Sequence, residues 1–73
     1  MSDPKKTPTL GEALPAEMAR VRDEVLPIYD AIPAGRFAAT MMRMDLDRAT
    51  KALAEGDVVE MMRAYVALQG CHV

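Results

Sequence analysis

Tryptophan is missing from this 73-residue chain, phenylalanine occurs once and tyrosine twice, so a core here must be built from aliphatic side chains and methionine. A single cysteine excludes an internal disulfide and agrees with a reducing compartment. Histidine occurs only at His72 and serine only at Ser2, and there is no glycine-rich phosphate loop, which leaves no catalytic triad and no P-loop. A concentrated positive charge is missing as well. The formal net charge is −2, which argues against nucleic acid or an anionic lipid surface as partner. No apolar run approaches the about 20 residues that cross a bilayer. Met1 to Thr9 carries Pro4, Lys5, Lys6 and Pro8 but lacks the apolar middle of a secretory signal. A cytoplasmic protein with no membrane partner is expected.

What the chain does have is a ladder of apolar residues, Leu14, Met18, Val21, Val25, Ile28 and Ile32, stepping by fours and threes. That spacing is one stripe of a helix. After the break Pro33-Ala34-Gly35 a second ladder follows, Ala39, Met42, Leu46, Ala49 and Leu53. The hydrophobic fraction is 51% and includes seven Met, a side chain that suits both an irregular core and an adaptable binding surface. The expected fold is therefore all-α: a three-helix, up-down-up bundle with a Pro-kinked first helix, completed by homodimerisation.

Residues 1–9 read as a disordered tail and 10–73 as one helical domain, because prolines, lysines and small polar residues bury too little surface to offset their ordering entropy. The first helix is expected over about 14–32. Pro15 sits at its first position, where a missing N–H costs nothing. Pro27 lies inside and removes the bond to the Asp23 carbonyl, so the helix should bend there. Pro33 ends it. The second helix is expected over 35–55, with Gly56 as its C-terminal stop. The third, over 57–69, is capped by Asp57. It is apolar nearly all round, with Val58, Val59, Met61, Met62, Tyr65, Val66 and Leu68, and such a helix is expected to be covered on most sides.

Helix two also carries an apolar flank of Phe37, Met41, Met44 and Ala52 outside its main ladder. Burial of Phe37, Met41 and Met44 can contribute up to about 1.5–3 kcal/mol each. Within that side Asp45 and Arg48, three residues apart, are in reach of each other. Their pair either fixes the register of an interface or is an exposed one worth under about 1 kcal/mol. Arg20 with Glu24, Arg43 with Asp47 and Asp47 with Lys51 read as solvated helix pairs. Cys71 and His72 are the only soft metal ligands. Two such tails hold the donors of a tetrahedral zinc site, yet neighbouring tail residues seldom both point at one metal. No metal or other cofactor is expected. An exposed Cys71 thiol that joins subunits on oxidation is the better reading.

The function expected from these residues is a non-enzymatic interaction module or accessory subunit. Homodimerisation places Phe37, Met41, Met44, Asp45 and Arg48 at the contact. The alternatives are a small adaptor or inhibitor whose flank binds a larger protein, and a DNA-associated regulator. The last is weakened by the single basic residue, Arg63, available on the short third helix.

Overall fold

A computed structural model describes residues 9–72, so the expected tail lies outside the described residues except for Thr9. Among the described residues the ordered elements are all helical, with no strand. Helix α1 (Leu10–Arg20) runs through a π turn (Val21–Val25) into α2 (Leu26–Asp30). A 3₁₀ turn (Pro33–Gly35) leads to α3 (Arg36–Glu55), and α4 (Val58–Gln69) follows. The α1–α2 unit, α3 and α4 are the three expected helices, and each packs against the other two.

Helix α1 begins at Leu10, four residues before the expected start near residue 14. Thr9 is extended, and its carbonyl accepts from the amides of Glu12 (3.0 Å) and Ala13 (2.8 Å). The extra turn lays Leu10 against the core. Pro15 consequently sits inside the helix, opposite the carbonyl of Gly11, which is exposed to water.

The expected bend at Pro27 takes the form of a π turn just before it. In a regular helix the Pro27 ring would strike the Asp23 carbonyl. The chain widens there instead, and the Leu26 amide reaches back five residues to the Val21 carbonyl. Widening adds one residue to the turn and rotates everything after it. Leu14, Val21 and Val25 face inward as the ladder requires, with Met18 half-buried. Beyond the turn Leu26 and Tyr29 take the inward positions, and Ile28 and Ile32 are exposed.

The second ladder keeps its expected register: Ala39, Met42 and Ala49 are buried, and Leu46 and Leu53 pack against them. Ala52, assigned above to the open flank, is buried as well. Gly56 closes α3 in the left-handed conformation (φ 66°). Its amide donates to Leu53, and that of Asp57 to Ala52 (3.0 Å), a pattern only an unhindered residue permits cheaply. Asp57 then caps α4, its Oδ1 accepting from the Glu60 amide at 3.1 Å. Helix α4 departs from the expectation of cover on most sides. Met61, Ala64 and Leu68 are buried, whereas its opposite face is open.

Gly35 is needed for closeness rather than for conformation. A Cβ there would lie 2.5 Å from the Tyr29 carbonyl oxygen and 3.1 Å from the Tyr29 Cα, both backbone atoms that cannot swing away. Gly35→Ala is therefore expected to lower stability by about 1–3 kcal/mol. Gly11→Ala, where the nearest atom is 3.9 Å away, should raise it by about 0.5–1 kcal/mol. Urea unfolding followed by far-UV circular dichroism checks both. Equal effects at the two glycines would refute the close approach.

Candidate interaction surface

The C-terminal end is held by side chains of the first helix. Arg20 donates from Nη2 to the carbonyl of Leu68 (3.1 Å), which also accepts from the Cys71 amide, and to the carbonyl of Cys71 (2.8 Å) just beyond α4. Its Nε donates to Glu17, and this bond above all holds the guanidinium protonated. The pairing with Glu24 expected above does not form. The π turn begins directly after Arg20 and carries Glu24 round the axis, while Glu17, on the regular turn before it, stays within reach. Tyr29 adds a second anchor, its hydroxyl donating to the His72 carbonyl at 2.9 Å.

This anchoring changes the reading of Cys71. The thiol is buried rather than exposed, and Sγ–H points to the Ala67 carbonyl at 3.6 Å. Burial pushes its pKa up, and the nearby Asp45 carboxylate adds to the rise against a smaller opposing pull from Arg20. Among the described residues no group of three His, Cys, Asp or Glu side chains could hold a metal ion. Cys71 and His72 instead line a groove of about 280 Å³ together with Tyr29, Met41 and Asp45.

Asp45 and Arg48 do not meet. Asp45 lines that groove, whereas Arg48 lines another with Lys51, Glu55 and Glu60, towards α4. Arg43 is paired with Asp30 of α2 instead of Asp47, tying α3 to the segment after the π turn. The Asp47–Lys51 pair is likewise missing from the ion pairs of the described residues.

The expected contact residues on α3 are open: Phe37 is 79% exposed, Met41 and Met44 are exposed, and Asp45 is half-buried beside exposed Arg48. A more continuous apolar face lies on α4. Val58 (59% exposed), Val59 (61%), Met62 (58%) and Val66 (62%) form a stripe with Arg63 at its edge. Sequence reading found these residues apolar but assigned them to a covered helix. A depression of about 430 Å³ runs between them. All its walls belong to one helix, so it is an open depression rather than an enclosed cavity.

No family model, no curated protein and no solved structure matches the chain.

Alkylation of Cys71 by iodoacetamide at pH 8 is expected to be at least about tenfold slower in the folded chain than in urea, because thiolate is the reactive form. Arg20→Met should speed it by releasing the tail. A folded-state rate equal to that in urea would show the thiol to be open. The raised thiol pKa also has a sign for stability. The folded state keeps the proton that the unfolded state, with an ordinary value of 9.0, releases. Stability from this group is complete below about pH 9 and is lost as pH rises through the folded value.

Proposed function

We propose that this chain is a non-enzymatic helical interaction module or accessory subunit that works as a homodimer. The observation that carries the reading is the apolar stripe of α4, four side chains left more than half exposed on a chain of 73 residues. Isolated exposed apolar residues are ordinary on protein surfaces, but a contiguous run on one helix face marks a contact for another protein. The chemistry of the interior supports the same reading. Among the described residues no carboxylate or imidazole is buried, and no side-chain polar atom is buried without a partner. A general acid or base tuned by burial has no counterpart here.

A second reading is favoured by Phe37, the most exposed of the large apolar side chains. With the exposed Met41 and Met44 it forms an apolar flank of α3 through which a small adaptor or inhibitor can bind a larger protein. The two readings are compatible, since the α3 flank and the α4 stripe are made of different residues.

Light scattering on a sizing column, at two concentrations and with and without reductant, tests the first reading. A mass near twice 8.0 kDa, unchanged by reductant because Cys71 is buried, is the expected result. A monomer at every concentration would leave only the adaptor reading. A dimer that disappears in reductant would replace the apolar contact with a disulfide.

A further inference from the structure

Resting on the reading of the α3 flank as a contact for a larger protein, we propose that the groove where α2, α3 and the segment after α4 meet receives a lysine or arginine side chain of that protein, its charged head on the Asp45 carboxylate. Three parts of the chain build this groove, unlike the single-helix depression on α4. Tyr29 comes from α2, Met41, Met42 and Asp45 from α3, and Cys71 and His72 from the segment after α4. The Tyr29 hydroxyl and the Arg20 guanidinium hold the carbonyls of His72 and Cys71, and Gly35 lets the start of α3 approach the Tyr29 backbone. The groove is thus formed before anything enters it, which spares an occupant part of the ordering cost of binding.

Charge selects the occupant. Asp45 is half-buried in the groove and belongs to none of the ion pairs of the described residues. The arginines that could neutralise it are committed elsewhere: Arg43 to Asp30, Arg20 to Glu17 and two carbonyls, and Arg48 to the other groove. No lysine or arginine lines this one. The Asp45 charge is near enough to the buried Cys71 thiol to disfavour the thiolate. A carboxylate partly withdrawn from water and without a partner favours a cation brought by another molecule.

Size and wall chemistry narrow the choice further. The volume of about 280 Å³ falls just below the roughly 300–1,000 Å³ of small-molecule sites and suits a single extended side chain. Met41 and Met42 make an apolar wall, and lysine and arginine lay their aliphatic stems along such a surface while the head stays at a polar end. Met41 belongs both to the groove and to the exposed flank with Phe37 and Met44. Apolar residues beside the cationic one in the partner therefore meet that flank.

The test selects binders from a random peptide library on the immobilised full chain and measures their affinity by fluorescence polarisation. Selected peptides are expected to carry a lysine or arginine beside apolar residues. Asp45→Asn should weaken them by at least about tenfold with an unchanged circular dichroism spectrum and melting temperature, because Asp45 has no ion pair to lose. Norleucine in place of the peptide's cationic residue should weaken wild-type binding similarly, and the two changes together should cost no more than either alone, the signature of one direct pair. Arg48→Gln, on the other groove, should leave the affinity unchanged. If Asp45→Asn binds as tightly as wild type while Phe37→Ser abolishes binding, the cation site fails and the flank reading stands. No binder, or binders that neither substitution weakens, removes both. Nα-acetyl-lysine methylamide binding as tightly as the peptides would make the groove a site for free amines and overturn the protein occupant. A homodimer that Asp45→Asn dissociates in sedimentation velocity would put a second copy there and overturn it as well.

Discussion

Pro27 imposes the constraint on which the packing of this protein depends. A proline within a helix removes one hydrogen bond and collides with the carbonyl four residues earlier. Here the collision is absorbed by the π turn over Val21–Val25, which keeps the first helix continuous but turns its second half relative to its first. Leu26 and Tyr29 face inward as a result. From that register follow the Tyr29 hydroxyl's bond to the His72 carbonyl and the placement of the Tyr29 backbone against Gly35. The pair formed by Arg43 and Asp30 also spans α3 and this rotated segment.

A core of this composition holds together by closeness more than by large side chains. Ala39, Ala49, Ala52 and Ala64 are fully or almost fully buried, and among the buried side chains only Leu14, Leu68, Val21 and Val25 are large and sealed from water. Small residues let helix backbones approach, and dispersion then acts over many short contacts. The cost of so thin an interior is that few faces are covered. Helix α4 buries Met61, Ala64 and Leu68 and leaves Val58, Val59, Met62 and Val66 to water. Polar anchoring near the C-terminal end compensates in part, since Arg20 ties the carbonyls of Leu68 and Cys71 to α1, and Cys71 is buried beside it.

The interaction reading proposed above rests on the apolar faces of α3 and α4. The raised thiol of Cys71 makes it a weak nucleophile rather than a poised one. Association through apolar helix faces asks only for what α3 and α4 leave uncovered.

Sequence alone determined the class and the punctuation of the fold. Apolar spacing identified helices, Gly56 and Asp57 marked the stop and start between α3 and α4, and Pro33 closed the first helix, because these are local effects of backbone geometry and capping. The ladder Ala39, Met42, Leu46, Ala49, Leu53 was legible for the same reason. Tertiary structure decided what local spacing could not. A π turn shifts register by one residue without leaving a periodic trace, so the exposure of Ile28 and Ile32 became visible only in three dimensions. Arg20, Arg43 and Asp45 had several partners or surroundings in reach along their own helices, and packing with other helices selected among them. The open face of α4 was hidden by its composition. An all-round apolar helix shows that some face is buried, and only the arrangement of its neighbours determines which face is left open.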